Sequence, residues 1–394
     1  MGALKGMRVL DMTQYEAGTS CTQLLAWLGA EVVKVESPSG DPGRFVARPG
    51  QISQYFQNYN ANKNSVVIDL QTAKGRQLLL DLVPKFDVFV ENYGPGVIEK
   101  LDIGYDVMKE INPGIIYGRI KGFGLTGPWA GYKCYDWVAQ AAAGTFSVTG
   151  EGDGPPMMPG PTIGDSGTGM QMALGISAAY TQKLRTGEGQ FIEVAMQEAV
   201  TMFMRTLGLA EWGTEAAAPR QGNARGAPTN VYPCKGGGPN DHVFVMIVTT
   251  RMWDSFCMAI DRPEFAADPR FEDGIARLEH ADELIAEVTK WSLQHTKWEA
   301  MEVLGEAGVP CSATFDTRDL FTAPHLKERD FIQEVEHPEA GTVQLMRNPI
   351  RMSGSDVPLE AAPLLGDATN RILASDLGLD AGALDALKAE GVVA

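Results

Sequence analysis

Through the first half of this chain, short β-branched runs alternate with stretches of helical periodicity, and no other feature narrows the possible folds so far. The runs are MRVLDMT (7–13), EVVKVE (31–36), SVVID (65–69), DVFVEN (87–92) and GIIYGRIKGF (114–123), with another near Phe191–Val194. Helices are predicted near Cys21–Leu28, from Thr72 to about Pro84, near Val107–Ile111, around Asp136–Ala143, over Ser166–Leu184, and after the last run to about Leu209. Runs of this kind are buried on both faces, and strands buried on both faces and separated by helices form a parallel, doubly wound sheet. The expected class is α/β.

At 394 residues the chain exceeds the size at which a single core usually stops growing, so a second domain or an insertion is expected. The Gly/Pro-rich polar stretch TEAAAPRQGNARGAPTN (214–230) reads as a linker. Beyond it, HVFVMIV (242–248), amphipathic helices between Met252 and Gly305, and VPCSATFD (309–316) make a smaller domain over 231–330. The large domain then takes in 1–213 and, through FIQEVEHP (331–338) and VQLMRNPIRM (343–352), the segment 331–394.

Several function classes fall away. A net charge of −17 disfavours nonspecific nucleic-acid binding, which needs a basic face, and any anionic ligand has to be held by local cations. No stretch approaches ~20 uninterrupted apolar residues and the start leads directly into a strand pattern, so a cytoplasmic protein without membrane attachment is expected. Five scattered cysteines, Cys21, Cys134, Cys234, Cys257 and Cys311, read as reduced thiols, and no Cys/His spacing suggests a metal. The turn after the first run, Thr13 to Thr19, lacks GxGxxG, and no GxxxxGK[ST] occurs, which removes the main support for dinucleotide and P-loop readings. All five histidines lie beyond the linker, which excludes a His-based proton shuttle built from the first 213 residues.

The segment PGPTIGDSGTGMQMALGISAAY (159–180) sets one carboxylate, Asp165, among glycines at the start of an apolar helix. Helix-start N–H groups carry partial positive charge and favour an anion there. Gly164, Gly167 and Gly169 are expected to let a ligand approach closely. A carboxylate at its ordinary pKa is ionised near neutrality and attacks an activated carbonyl without a neighbouring base, so Asp165 is the candidate nucleophile. The bland alternative is that it only caps the helix.

Four blocks in order resemble the family III CoA-transferases, the group that includes formyl-CoA:oxalate and carnitine CoA-transferases and the 2-methylacyl-CoA racemases. They are LKGMRVLDMTQYEAGTSCTQLLAWLGAEVVKVESPSGDP (4–42), NKNSVVIDLQTAKGRQLL with DVFVENYGPGVIEKL (62–101), KCYDWVAQAAAG through GDSGTGMQMALGI (133–176) and RTGEGQFIEVAMQEAV (185–200); the ending APLLGDATNRIL (362–373) also fits. The resemblance implies a Rossmann-like large domain with an inserted smaller α+β domain, in a homodimer of interlocked rings. It implies that Asp165 is acylated by a donor thioester, then carries CoA itself as an aspartyl thioester that an acceptor carboxylate opens. Coenzyme A is then a cosubstrate, with no tightly bound cofactor, and the partners are an acyl-CoA and a small carboxylic acid.

The same resemblance assigns Tyr15, Ala17, Asn92, Tyr93, Gly94, Lys100, Lys133 and Met196 to the CoA path, and Glu16, Tyr135 and Asp136 to the acyl and acceptor pocket. Tyr93 and Met196 read equally well as core, Lys100 as a solvated helix charge, and Asp136 as a helix cap. Departures from the formyl-CoA enzymes are Glu16 for a glutamine, Ser37 for an arginine, Gln71 for a lysine and Lys100 for an arginine. A buried Glu16 opposes a small dianion such as oxalate. The glycine tetrad of those enzymes is missing near residues 222–227, where Arg225 is a candidate for the acceptor carboxylate. Gly236–Gly238 is either a lid or a hairpin turn, with the turn favoured. A racemase needs a histidine just upstream of Asp165, where this chain has Tyr135 and Asp136. A noncatalytic CoA-binding protein leaves Asp165 without a purpose.

Overall fold

In the computed structural model, which describes residues 1–49, 51–223 and 226–394, the β-branched runs line up as one sheet. The chain runs β1 (Arg8–Met12), α1 (Ala17–Trp27), β2 (Glu31–Glu36), α2 (Gln54–Asn60), β3 (Asn64–Val67), α3 (Ala73–Leu82), β4 (Val88–Glu91), α4 (Val97–Leu101), α5 (Tyr105–Ile111) and β5 (Ile116–Lys121). It continues through α6 (Asp136–Ala142), α7 (Ser166–Thr186), β6 (Phe191–Ala195) and α8 (Met196–Thr201). The strand order is β3-β2-β1-β4-β5-β6 and every neighbouring pair is parallel. This is the doubly wound α/β sheet the alternation predicts, with its order reversing between β1 and β4.

Because successive strand residues point to opposite faces, β1 feeds two cores. Val9 joins Val32, Val88 and Ile116 against Leu25 of α1 and Met172 and Ile176 of α7. Leu10 and Met12 join Val33, Val66 and Phe89 against Leu79 of α3 and Met108 of α5. Each such fully buried aliphatic side chain contributes roughly 1.5–3 kcal/mol, so a polar substitution in any of these strands strips one whole layer. The helices start and stop on local signals. Ser53 caps α2 at Phe56 N (3.0 Å), Thr72 caps α3 at Gly75 N (2.9 Å), and α7 ends at Gly187 (φ 77°) with Lys183 and Arg185 in its last turn.

Contacts divide the described chain into two compact units, one of residues 1–145, 158–209 and 330–394, the other of 146–157 and 210–329. The second unit has an antiparallel sheet, β7 (Asn230–Pro233), β8 (His242–Val245) and β9 (Cys311–Ala313), with α9 (Thr250–Ala259), α10 (Gly274–Glu279), α11 (Ala281–Ser292) and α12 (Lys297–Glu306). Tyr232, Trp253, Phe256 and Phe271 fill its core. Two short helices, α13 (Asp319–Thr322) and α14 (Pro324–Glu328), follow. The run Gly236–Gly238 belongs to the turn joining β7 to β8, closed by Asp241 N to Gly238 O (3.1 Å) and Gly238 N to Asp241 Oδ2 (2.9 Å). Arg225 lies outside the described residues.

Back in the first unit, β10 (Ile332–His337) and β11 (Gly341–Met346) form a separate antiparallel pair, and α15 (Thr369–Leu377) and α16 (Ala381–Ala389) close the chain. Ile372, Leu373, Leu384, Val392 and Val393 complete the core on the α3 face. The helix after β6 ends at Thr201 and passes into a 3-10 turn at Met202–Met204, short of the expected Leu209. Helices α2 and α4 and strand β7 were not predicted, being four to seven residues long, too short to show a hydrophobic period. The five cysteines are free thiols, and among the described residues no helix is long and apolar enough to cross a membrane.

Candidate active site

In an open parallel sheet the loops leaving two strands diverge where the order reverses, and a crevice opens beyond their carboxyl ends. Here β1 and β4 end together, Met12 opposite Glu91, so the loops at Thr13–Ala17 and Asn92–Pro95 flank that crevice. Asn92 locks the two loops, accepting from Gln14 N (2.8 Å) and donating to Gln14 O (2.9 Å), while Gln14 Nε2 donates to the Tyr93 hydroxyl (3.0 Å). Tyr15 sits at φ 57°, a left-handed conformation that costs on the order of 1–3 kcal/mol for a bulky residue.

A cavity of about 230 Å³ occupies the crevice. It is lined by Tyr15, Glu16, Ala17, Asn92, Tyr93, Gly94, Lys133, Tyr135, Asp165 and Met196, all named by the sequence, together with Gln14, Lys121 and Cys134, which were not. Lys100 is exposed on α4 and does not line it. Asp136 is buried and does not line it either. Tyr93 and Met196 serve both readings, since each packs against a core while presenting an edge to the cavity. Gly94 has no neighbour within 4 Å of where a Cβ would stand, so its backbone is open to a ligand.

Asp165 occupies the N-cap position of α7, yet its side chain makes no capping hydrogen bond. Its backbone N–H donates to Asp136 Oδ1 (2.9 Å); the other Asp136 oxygen accepts from Gln140 Nε2 (2.6 Å), which also donates to Pro161 O (2.9 Å). Asp136 therefore holds the turn that carries Asp165 and does not cap its own helix. Glu16 holds the same turn from the other side, its Oε1 accepting from the Thr162 hydroxyl (2.5 Å) and the Ser166 hydroxyl (2.7 Å).

Two expectations are corrected. Gly164 and Gly169 make room for protein: a Cβ at Gly164 would meet Asp136 O at 2.5 Å, and one at Gly169 would meet Ala17 O at 2.6 Å, where α7 crosses α1. Gly167 likewise packs, on the ring of Phe203. Nor is Asp165 an ordinary ionised carboxylate, because burial, then Glu16 and Asp136, push its pKa up to about 8. The sequence could not reveal this, since both neighbouring carboxylates arrive from elsewhere in the fold.

Two aromatic residues on α2 were also missed. Tyr55 and Tyr59, one helical turn apart, stack edge to face at 5.1 Å. The Tyr59 hydroxyl hydrogen-bonds Glu16, and burial with the charges of Glu16 and Asp165 raises the pKa of Tyr55. Their i, i+4 spacing behind the capping Ser53 was the available signal.

Beneath the Tyr15 turn lies a buried ionic network. Lys34 Nζ contacts Asp41 Oδ2 (2.8 Å) and donates to Thr13 O (2.7 Å), and Asp41 Oδ1 accepts from Gly43 N (2.7 Å) and Tyr15 N (3.3 Å). Lys63 Nζ reaches Asp11 Oδ2 (3.0 Å), Thr19 O (3.1 Å) and Asn60 Oδ1 (3.0 Å). Burial alone would raise the Asp11 pKa, but Lys63, Lys34 and the Thr13 and Thr22 hydroxyls hold it below the usual range. On the other wall, Lys121 is tied to Glu91 (3.2 Å) and to the Tyr93 carbonyl, fixing the Asn92–Pro95 loop from below.

With this geometry in view, the matches to known proteins are consistent with one another. The model of CoA-transferase family III matches residues 4–369, and the chain belongs to that family of enzymes. It is 40% identical over 99% of both chains to a formyl-CoA:oxalate CoA-transferase of Streptomyces coelicolor, and 37% identical over 97% of both to one of Rhodopseudomonas palustris. Among solved structures, a CAIB/BAIF family protein from Brucella suis superposes with TM-score 0.84 at 29% identity, covering 95% of this chain and 99% of that one. The protein Rv3272 of Mycobacterium tuberculosis superposes with TM-score 0.81 at 27% identity, covering 94% and 98%.

Proposed function

We propose that this enzyme moves CoA from a short acyl-CoA to a carboxylic acid through covalent intermediates on Asp165. The observation that carries this reading is the uncapped Asp165 carboxylate, aimed into a cavity at the switch point of the sheet. An Asp165 oxygen attacks the donor thioester carbonyl, the C–S bond breaks, and CoA thiolate leaves a mixed anhydride. The thiolate then attacks the aspartyl carbonyl of that anhydride, releasing the donor acid and forming the aspartyl-CoA thioester. An acceptor carboxylate opens the thioester to a second mixed anhydride, and the thiolate takes the acceptor's acyl group, which restores Asp165. Once Asp165 has lost its proton, each step exchanges one carboxylate or thiolate for another as nucleophile and leaving group, so the cycle consumes no acid or base.

Tyr15, Ala17, Asn92, Tyr93, Gly94 and Met196 are the proposed CoA contacts, and Lys133 the cation for its phosphates. Lys133 is exposed at the cavity rim and has no hydrogen-bond or ion-pair partner among the described residues. Lys100 remains a proposed contact only for a CoA that extends past the cavity. Tyr135, exposed and edge to face with Tyr15 at 6.2 Å, is proposed to orient the acyl or acceptor group. Because Glu16 is acidic where the oxalate enzymes have glutamine, a singly charged acid is the proposed acceptor. A homodimer of interlocked rings is proposed as well; it would cover Met170 and Leu174, apolar residues exposed one turn apart on α7.

The racemase reading loses ground because no histidine is among the cavity-lining residues described. The test is incubation with succinyl-CoA or formyl-CoA and a panel of free acids, with the thioester products identified by mass spectrometry and Asp165 probed with hydroxylamine. New acyl-CoA products and a hydroxamate at Asp165 are expected. α-Deuteration without acceptor, and no modified Asp165, would move the assignment to a racemase.

A further inference from the structure

The turn that carries Asp165 is held from two sides by groups of its own charge. Glu16 Oε1 accepts both hydroxyls that bracket the residue, Thr162 three positions before it and Ser166 one after, at 2.5 and 2.7 Å. Asp136 accepts the Asp165 N–H at 2.9 Å. The other Asp136 oxygen accepts from Gln140 Nε2 at 2.6 Å, so both carboxylates are fixed in place by their donors. No cation balances them: among the described residues Asp165, Glu16 and Asp136 have no ion-pair partner, and Lys121 is already engaged by Glu91.

The other titratable groups facing Asp165 are Tyr55 on α2 and Cys134 before α6, both neutral near pH 7, with the Cys134 thiol pushed up to about 11 by burial, then Asp165 and Asp136. Tyr135 and Lys133 line the outer cavity.

We propose that Glu16 is a positioning residue for Asp165, clamping its turn through Thr162 and Ser166 while its charge makes the free Asp165 carboxylate a high-energy species that acylation relieves. This rests on the covalent reading above only in its second half. Every intermediate of that reading, anhydride or thioester, leaves Asp165 uncharged, so forming one removes the repulsion that the ionised carboxylate suffers. The fold thereby biases the enzyme toward its covalent forms and gives the carboxylate the basicity, and so the nucleophilicity, of a weaker acid. Burial first, and then the charges of Glu16 and Asp136, push the Asp165 pKa up to about 8, the direction this coupling requires. Glutamine at position 16 would keep an oxygen for the two hydroxyls and drop the charge, which separates clamp from field.

The experiment is a ¹³C NMR titration of aspartate carboxyls in the intact protein, with the Asp165 signal assigned by its loss in Asp165→Asn. In the wild type the Asp165 midpoint is expected several units above that of an exposed aspartate. In Glu16→Gln it is expected to fall by at least about one unit. Alongside, intact-mass spectrometry with succinyl-CoA and no acceptor is expected to find the aspartyl-CoA adduct in a smaller fraction of Glu16→Gln than of wild type. A wild-type midpoint near 4 overturns the proposal with no variant needed, and so does a midpoint that Glu16→Gln leaves in place. An adduct absent from the wild type, with the midpoint still shifted, would instead fault the covalent reading and the relief by acylation, and leave the electrostatic coupling intact.

Discussion

Two buried groups of charges flank the Tyr15 turn, and they are built on opposite plans. In the network under β1, β2 and β3, three carboxylates (Asp11, Glu36, Asp41) meet three cations (Lys34, Arg44, Lys63) at 2.7–3.0 Å. At the head of α7, Glu16 and Asp136 accept from hydroxyl, amide and backbone donors beside the Asp165 carboxylate, and among the described residues no cation is paired to any of the three. The first group fixes a loop; the second sets two carboxylates beside a third, the proposed nucleophile. What separates them is compensation: a buried charge matched by its opposite becomes scaffold, and one surrounded by its own sign becomes chemistry.

Substitutions should break this contrast in graded ways. Removing the proposed nucleophile has the largest expected effect: Asp165→Ala is expected to lower CoA transfer by at least about 10³-fold, since the proposed covalent path would be lost outright. A steady-state assay with the best donor and acceptor checks it; retention of a tenth of the activity would contradict it. Next, Lys63→Met strands Asp11 in the interior without its partner and is expected to cost roughly 3–5 kcal/mol of stability in urea unfolding.

Asp165→Asn should act the opposite way on stability. The folded-state pKa of about 8 exceeds the ordinary 3.8, so the folded protein holds this proton more tightly than the unfolded chain does. The group's contribution therefore worsens as pH rises from about 4 to about 8 and is at its most destabilising above that. At pH 9, Asp165→Asn is expected to unfold later than wild type, by an amount on the order of a few kcal/mol, with the difference shrinking toward pH 4. The same titration predicts that wild-type activity rises with pH up to about 8 where attack by Asp165 limits the rate. The smallest effect belongs to Ser166→Ala, which removes one of the three hydroxyls on Glu16: a loss of about 1 kcal/mol or a few-fold in kcat, read from parallel melts and rates.

The scaffolding half of this contrast was far less legible in the sequence than the nucleophile. The β-branched runs announced six parallel strands because burial on both faces writes itself into consecutive residues. Asp165 stood out because a carboxylate among glycines at a helix start is a local pattern. Lys34, by contrast, sits inside a strand-like run and Lys63 just ahead of one, where nothing local distinguishes a buried lysine from a solvated one; Asp11, the partner of Lys63, is 52 residues away. The raised pKa of Asp165 was equally hidden, since Glu16 and Asp136 reach it across 149 and 29 positions. Tyr55 and Tyr59 escaped because α2 spans only seven residues.

The last residues of the chain carry a consequence for its core. Asp69 N donates to Val392 O at 2.8 Å, Ile68 bridges Val393, and Ile372, Leu373 and Leu384 lie under the strands made first. This face of the central sheet, already covered in part by α3 and α5, is therefore completed by residues that follow the whole second unit in the chain. Removing residues 383–394 is expected to take Leu384, Val392 and Val393 out of the layer that holds Leu79, Val66 and Phe89.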